Sequence, residues 1–418
     1  MFPWQELIRL SVGGVVAAFF EPIFWMIIAL VGFQYWKLQK SQQRMFGVCG
    51  FSLTQQIALA ICLGSIGGIV GTFLLTLVGI NVDQLGLAYI WPVAILLMMV
   101  NMRFLCFAYA GGVVALSKVL FGWPNVDVSQ VLVLVAVLHI TESILIAISG
   151  IYGSMPIILQ RKNGQLVGAF NLQNFWPLPL LLMSAVAVPE LKVPEGVLGM
   201  PDWWPLLPVQ GGLMEGHIWM YTMVSVVAAL GYTDIAVASS PQMRRRKSAL
   251  HLGLYSIVLL ALALLSVHYK WLQAVAAMVS FLGHEMLIQI DSRQELEALP
   301  RYVPPAEGLM VLDTVVDTPA QKAGIKSGDI LLRLHNLTID TKEQLAEAIY
   351  LAPPVFIIEI LRDDRRIEKK VKFSQNHKML GVILVPEGNE LYYVQLAEDK
   401  FWLWEKAKQI WGKNNKKI

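Results

Sequence analysis

The chain has 418 residues, of which 56% are hydrophobic and 15% are charged, and its formal net charge is +3. A soluble core cannot hide this share of apolar side chains, so lipid is the expected solvent for much of the chain. The small net charge argues against the basic surface that is typical of nucleic-acid binding.

Apolar blocks of about 20 residues, the length that crosses a bilayer as a helix, occur mostly before Asp291. We therefore predict a polytopic α-helical membrane bundle of seven to nine spans over residues 1–290. Blocks 85–100 and 175–188 contain prolines, so either one could instead be re-entrant or interfacial. The candidate blocks are 11–36, 57–80, 85–100, 104–120, 128–151, 175–188, 217–237, 249–267 and 271–288.

The basic residues between these blocks predict the orientation, because Lys and Arg are retained on the cytoplasmic side. Alternate loops hold ten basic residues against four in the other set, with Arg244–Lys247 as the densest run. We therefore expect a multi-pass protein of the bacterial cell membrane whose C-terminal part faces the cytoplasm.

Four glycines in the second block form two overlapping small-xxx-small patterns, Gly64 with Gly68 and Gly67 with Gly71. Such patterns let helix backbones approach closely, either inside the bundle or between copies in a homo-oligomer. The loop 189–213, which is rich in proline and contains Trp203 and Trp204, is expected to form an ordered lid at the outer membrane surface.

From Glu307 onward the pattern changes to short β-type runs separated by turns. Its landmarks are a Gly308 loop, a Pro319-Ala320 helix turn that ends at Gly324, and Gly328-Asp329 before an apolar strand. A helix over 341–351, capped by Thr341 with Gln344, and a hairpin over 355–373 turning at Asp363-Asp364 complete the pattern. This order resembles the bacterial PDZ family. We predict a linker at 291–306, a small α+β PDZ-like domain at 307–385 and a basic, aromatic tail at 386–418.

The PDZ resemblance implies that a partner peptide adds as a strand after the Gly308 loop and places its last side chain in a pocket. On that basis the peptide-binding residues are Gly308, Leu309, Met310, Val311, Leu345 and Ile349. The alternative is that these are core positions only. In the tail, Phe401, Trp404 and Trp411 lie among lysines, which fits either a helix on an anionic membrane surface or an ordinary solvated tail.

Catalytic motifs are not evident in the sequence. A zinc protease needs His-Glu-x-x-His, but His284-Glu285 is followed by Met286, Leu287 and Ile288, so the second histidine is missing. The cysteines Cys49, Cys62 and Cys106 lack paired metal spacing and are expected to be small apolar filler. We therefore expect no catalytic residues, no metal and no cofactor.

Ionisable residues within apolar blocks are costly and suggest a functional site, such as an ion path, or a buried structural network. The candidates for an intramembrane polar site are His139, Glu142, Glu215 and Asp234. A transporter that uses His139 and Glu142 is therefore one alternative function.

A multi-span bundle that ends in one PDZ-like module and lacks a catalytic set resembles the MinJ family of bacterial division-site adaptors. The resemblance implies a non-enzymatic membrane scaffold that recruits cell-division regulators, with DivIVA-like and MinD-like partners, at the septum and the cell poles. A PDZ-containing regulator of membrane proteolysis remains the other alternative.

Overall fold

The structure is a computed structural model that describes residues 2–48, 50–150, 152–190, 200–209, 211–212, 214–373 and 378–395. Helices form most of the first 297 residues and are interrupted by a sheet. Before the sheet come α1 Trp4–Ala18, α2 Pro22–Phe46, α3 Leu53–Val78, α4 Leu87–Val100, α5 Phe107–Phe121 and α6 Val128–Ile148; after it come α7 Pro241–Leu265, α8 Trp271–Met278 and α9 His284–Glu297.

Four helical stretches among the described residues are long and apolar enough to cross a membrane, namely α3, α6, α7 and the continuous Trp271–Glu297. The pair α1 and α2, bent by 72°, gives a fifth if it counts as one broken span. Helices α4 and α5 are apolar but shorter. The membrane-helix prediction is confirmed at this coarser level, whereas the count of seven to nine spans is not.

The ends of the long helices follow from local sequence. Ser52 and Gln55 form a capping box at the start of α3, and Gly79 ends that helix in the left-handed region with φ of 87°. Asp127 caps α6 by accepting the N–H of Gln130. Helix α6 lies at the centre of the bundle, where it packs against α3, α5 and α7.

A long antiparallel sheet crosses this helical part, formed by β1 Ser154–Gln160, β2 Leu166–Pro189 and β3 His217–Ala236. Strands β2 and β3 pair without a break from Phe170↔Ala236 to Pro189↔His217. The blocks 175–188 and 217–237 were therefore wrongly predicted as spans. Prolines in the first block disfavour a helix interior, and the second is rich in β-branched and aromatic residues.

Helix α3 covers the edge of β2 that β3 leaves free. Pro177 and Pro179 lie on this edge, where a strand can accommodate proline because the missing N–H has no partner to lose. Their carbonyls face Gly64 and Gly68, and a Cβ built on these glycines would lie 2.2 Å and 2.3 Å from the Pro177 and Pro179 oxygens. The glycine pattern therefore packs inside the molecule, but against a strand and not, as expected, against another helix.

Side chains of the neighbouring helices satisfy N–H groups along the same edge. The Phe175 N–H donates to the Tyr35 hydroxyl at 3.1 Å, and the Leu181 N–H donates to the Thr72 hydroxyl at 2.9 Å. Unpaired backbone groups are costly away from water, so these contacts allow a strand to lie along a helix as apolar as α3.

Part of the predicted lid also packs on α3. Trp204 is buried, and its indole N–H donates to the Thr76 carbonyl at 2.8 Å. Trp203 is exposed. Residues 191–199, including Lys192 and Pro194 of this loop, lie outside the described residues.

The module predicted as PDZ-like has a sheet in the order β8 (Arg365–Lys372), β7 (Val355–Arg362), β5 (Ile330–Leu334), β4 (Leu309–Thr314) and β9 (Val382–Leu384). Its core contains Val311, Leu331, Leu345 and Ile358. The hairpin turns at Asp363 and Asp364 as predicted, since both have positive φ. The elements are β4 Leu309–Thr314, α10 Pro319–Lys322, β5 Ile330–Leu334, β6 Leu337–Thr338, α11 Lys342–Leu351, β7 Val355–Arg362, β8 Arg365–Lys372 and β9 Val382–Leu384.

The segments predicted as linker and tail partly belong to the folded structure. Helix α9 extends to Glu297, past the predicted boundary at 290. Tyr302, 1% exposed, pairs by a β-bridge with Gly168 of β2. A short strand β10, Val394–Gln395, pairs in parallel with β1. The aromatic residues Phe401, Trp404 and Trp411 lie outside the described residues.

Candidate functional site

The strand after the Gly308 loop does not have a free edge. On one side of β4, Leu309 pairs with Leu331 and Met310 with Ile330. On the other side, Val311 pairs with Leu384 of β9. The prediction that Gly308, Leu309, Met310 and Val311 receive a peptide strand is therefore wrong, because both hydrogen-bonding edges of the strand are already occupied. Leu309 and Val311 are core residues, 7% and 0% exposed.

Strand β9, unlike β4, has a free hydrogen-bonding edge among the described residues. It comes last in the sheet order and pairs only with β4 in the described part of the chain. Gly381 precedes it with φ of 80°, so the backbone turns sharply at the start of the strand. An extended segment could add to this edge through backbone hydrogen bonds, in the mode that PDZ domains use.

The loop before β9, Lys378 to Gly381, presents backbone donors. The carbonyl of Leu380 accepts the Ala320 N–H at 3.0 Å, and that of Gly381 accepts the Val315 N–H at 2.9 Å. The N–H groups of Leu380 and Gly381 donate to no atom of the residues that the structure describes. Free adjacent N–H groups on a fixed loop can bind a carboxylate.

Helix α11 lies beside this loop. Lys378 donates from Nζ to the carbonyls of Tyr350 and Ala352 at 2.9 Å and 3.1 Å, which ties the loop to the helix C-terminus. Leu345 is buried in the module core together with Leu380, and Ile349 is half-buried against the same cluster. Leu345 and Ile349 therefore lie on the side of α11 that packs on the module, which is compatible with both the groove and the core-only interpretation.

The other end of α11 carries a charged group. Lys342 forms ion pairs with Glu387 at 3.6 Å and Glu390 at 3.1 Å. Burial acts to raise the pKa of Glu390, but the N–H groups of Glu387 and Gly388 and the Lys342 ammonium hold this pKa below its usual value. The segment after β9 is thereby fixed next to the N-terminus of α11.

The four residues predicted as an intramembrane polar site do not lie together. Glu215 is exposed in a turn before β3. Asp234, in β3, forms an ion pair with Arg244 at 2.8 Å and accepts the Ser248 hydroxyl at 2.8 Å. These contacts make Asp234 part of a structural network at the junction of β3 and α7.

His139 and Glu142 lie one turn apart on α6, and the buried imidazole of His139 contacts groups from other helices. Its Nε2 lies 3.1 Å from the thiol of Cys106, and its ring lies 5.0 Å from that of His284. The nearest donor atoms of Cys106, His139 and His284 all lie within 4.8 Å of one another. Cys106, which was expected to be apolar filler, instead contacts two imidazole rings, and His284 makes polar contacts inside the bundle.

Glu285 follows His284 and forms its own contacts. It accepts hydrogen bonds from Arg103 at 2.8 Å and from the Tyr109 hydroxyl at 2.6 Å. Cys62 is exposed on α3, and Cys49 lies outside the described residues. Sequence spacing does not reveal the Cys106–His139–His284 cluster, because its members come from three distant segments.

No family model matches the chain. The chain is similar to the cell division topological determinant MinJ of Bacillus subtilis, with 24% identity over 271 residues, which is 64% of this chain. The match spans 63% of that relative's length. The resemblance to MinJ expected from the sequence is confirmed. A shorter match, 27% identical over 101 residues, covers 23% of this chain and 26% of the putative serine protease HhoA of Synechocystis.

Proposed function

We propose that this protein is a non-enzymatic membrane adaptor of bacterial cell division that recruits division regulators through the groove between β9 and α11. The similarity to a cell division topological determinant over 64% of the chain carries the division role. The unpaired edge of β9 beside α11 supports recruitment by strand addition.

In the proposed complex, an extended segment of the partner pairs with Val382–Leu384. The N–H groups of Leu380 and Gly381 donate to its terminal carboxylate. The side chain of its last residue contacts Leu345 and Ile349, so an apolar last residue is favoured. The backbone bonds supply affinity, and the apolar contact supplies selectivity.

The helices hold this groove at the membrane. Basic residues near helix ends, including Arg103 and Arg246, and Arg161 in the turn between β1 and β2 support an orientation with the module in the cytoplasm. Confinement to the membrane raises the effective concentration of groove and partner, so individually weak contacts suffice for recruitment. The proposed partners are DivIVA-like and MinD-like division proteins at septum and poles.

A crosslinking pull-down from dividing cells tests this function with two matched variants of the full chain. Ile349→Arg places a charge at the half-buried groove side of α11, and Glu347→Arg places the same charge on the exposed side of the same helix. We expect Glu347→Arg to retain the captured division proteins and Ile349→Arg to lose them. Equal capture by both variants would exclude the groove, and absence of division proteins from the unaltered chain would exclude the adaptor function.

The match to a putative serine protease favours a second candidate function, in which the module regulates membrane proteolysis. In that case Ile349→Arg changes the cleavage of a membrane protein in the same cells, while the set of captured division proteins stays unchanged. Comparing the membrane proteomes of the two variant strains distinguishes the two functions.

A further inference from the structure

We propose that Cys106, His139 and His284 bind a divalent transition-metal ion of the zinc class. The three residues converge from different helices. Cys106 is the N-cap of α5, His139 lies in the second half of α6, and His284 begins α9. The tertiary fold of the bundle therefore creates the set, and no local motif does.

The distances fit one ion bound to all three side chains. Zn–S and Zn–N bonds of about 2.3 Å and 2.0–2.1 Å at tetrahedral angles separate sulfur and nitrogen by about 3.5 Å. In the structure, the thiol sulfur of Cys106 lies 3.1 Å from Nε2 of His139 and 3.9 Å from Nε2 of His284. The two sulfur–nitrogen separations bracket the tetrahedral value, and all three ligand atoms lie within 4.8 Å of one another.

The hydrogen bond on the far side of His139 prepares its ring for metal binding. Nδ1 of His139 lies 2.7 Å from the carbonyl oxygen of Val135. A carbonyl only accepts, so Nδ1 must carry the proton and donate, and Nε2 is left with a free lone pair that faces Cys106. This outer hydrogen bond is the arrangement that orients metal-binding histidines in general.

If hydrogen bonds alone held the cluster, Nε2 of His284 would lack a good hydrogen-bond partner. The single thiol proton of Cys106 can be donated to one imidazole, and His139 is the nearer of the two. His284 is 8% exposed, so little water is at hand for its Nε2 when Cys106 donates to His139. A cation at the centre satisfies the sulfur and both Nε2 atoms together.

The backbone before His284 departs from regular helix. Val279–Gly283 forms a π-helical turn between α8 and α9. Such single turns inside helices occur frequently at functional sites, because the extra residue re-aims the side chains that follow. Here the turn ends directly before His284, next to the ring of Tyr255.

The surroundings supply access and room for a further ligand. A thiolate and two neutral imidazoles would leave one positive charge on a divalent ion. Cys106 is half-buried, and the ion pair between Arg103 and Glu285 lies at the partly exposed rim with side-chain exposures of 25% and 27%. Three protein ligands leave a fourth position for water or another ligand.

Metal loading of the purified full-length chain in detergent micelles tests the site. The chain is stripped with a chelator and reloaded with Zn²⁺ or, as a spectroscopic probe, Co²⁺. We expect about one zinc ion per chain and, with Co²⁺, a thiolate-to-metal charge-transfer band in the near ultraviolet. Absence of both from the unaltered, folded chain would refute the proposal.

Matched variants assign the site to these residues. Cys106→Ser should abolish the charge-transfer band, and His284→Asn should weaken Zn²⁺ affinity by roughly tenfold or more. The controls are Cys62→Ser, at the exposed cysteine of α3, and His251→Asn, at the histidine that pairs with Asp291. Size-exclusion profiles and helical circular dichroism confirm folding of each variant. Equal losses in the controls, or an unchanged band in Cys106→Ser, would overturn the assignment.

Discussion

The contact between α3 and β2 gives the sharpest test of the fold. Gly64 and Gly68 lie one turn apart on α3 and face the carbonyls of Pro177 and Pro179 on β2. A Cβ on Gly64 would lie 2.2 Å from one carbonyl oxygen, and a Cβ on Gly68 would lie 2.3 Å from the other. Ordinary contact starts near 3.4 Å, so alanine at either position must push helix and strand apart.

The magnitude follows from which atoms must move. The clashing atoms are backbone carbonyls, and β2 is held by its pairing with β3, so no side-chain rotation relieves the contact. Overpacking of this kind costs about 1–3 kcal/mol, with the upper half of that range expected for backbone contacts. Alanine recovers up to about 1 kcal/mol of helix propensity. We expect Gly64→Ala and Gly68→Ala to destabilise by about 2 kcal/mol each.

Gly13→Ala is the matched control, because a Cβ on this helical glycine of α1 meets nothing within 4 Å. The measurement is the apparent Tm of the full chain in detergent, followed by loss of the monodisperse size-exclusion peak after heating. We expect a drop of about 4 °C or more for the α3 variants and none for Gly13→Ala. Equal melting of all three variants would refute the packing of α3 on β2.

Three further predictions concern the module and its attachment, and each is measured by hydrogen exchange in the full chain. The carboxylate of Glu295 accepts hydrogen bonds from the N–H groups of residues 237–239 at 2.9, 2.8 and 2.7 Å. Glu295→Gln should therefore speed hydrogen exchange of these amides by roughly tenfold or more. Unchanged rates would contradict the role of Glu295 in holding this segment. Burial raises the pKa of Asp313 to about 6. The stabilising contribution of this carboxyl is therefore full at low pH and declines as pH rises through about 4 to 6. Asp313→Asn should protect β4 at pH 7.5 by about 1–2 kcal/mol, and a loss of protection would contradict the predicted direction of the effect. Arg362→Ala leaves the buried Asp329 without its two hydrogen bonds of 2.6 and 2.7 Å, which should cost β5 about 3 kcal/mol of protection. Arg366→Ala, at an exposed ion pair, should cost less than about 1 kcal/mol. Similar losses in both variants would show that the buried ion pair stabilises no more than the exposed one.

Local sequence patterns correctly predicted the helices whose ends or spans are determined by nearby residues. The capping box of Thr341 with Gln344 begins α11 as expected, and the left-handed Gly324 ends the short α10 segment with φ of 75°. The apolar blocks that became α3, α6 and α7 have the length and hydropathy of membrane helices. In each case the residues that determine the element lie within it or next to it.

The hairpin of β2 and β3 shows where hydropathy alone fails. A continuous apolar run is compatible with either a buried strand or a membrane helix, because its composition is the same in both. The discriminating signal was the placement of Pro177 and Pro179 two residues apart, which is unfavourable inside a helix but puts both on one edge of a strand. Only the structure shows that Gly64 and Gly68 of α3 cover that edge.

The proposed groove and the cluster of Cys106, His139 and His284 could not be located from sequence, because both depend on contacts between segments that are far apart in the chain. The landmarks at Gly308 identify the module, but only the pairing of Val311 with Leu384 shows that β9 and not β4 forms the edge. Likewise, Cys106 and His284 are 178 positions apart. Their proximity follows from the packing of α5 against α8 and the π-helical turn.

The attachment of the module bears directly on how an adaptor can work. Arg301 donates its N–H to the Val237 carbonyl at 2.9 Å, and Tyr302 packs between β2 and the module, where its hydroxyl accepts a bond from Ser327 at 3.1 Å. Leu312 of β4 belongs to the same core cluster as Phe170 of β2. These contacts replace the predicted linker with a packed junction, so the β9 edge has a fixed direction relative to the helices. In the proposed adaptor, a partner bound to this edge would therefore have a defined orientation relative to the helices, which a module on a flexible linker would not provide.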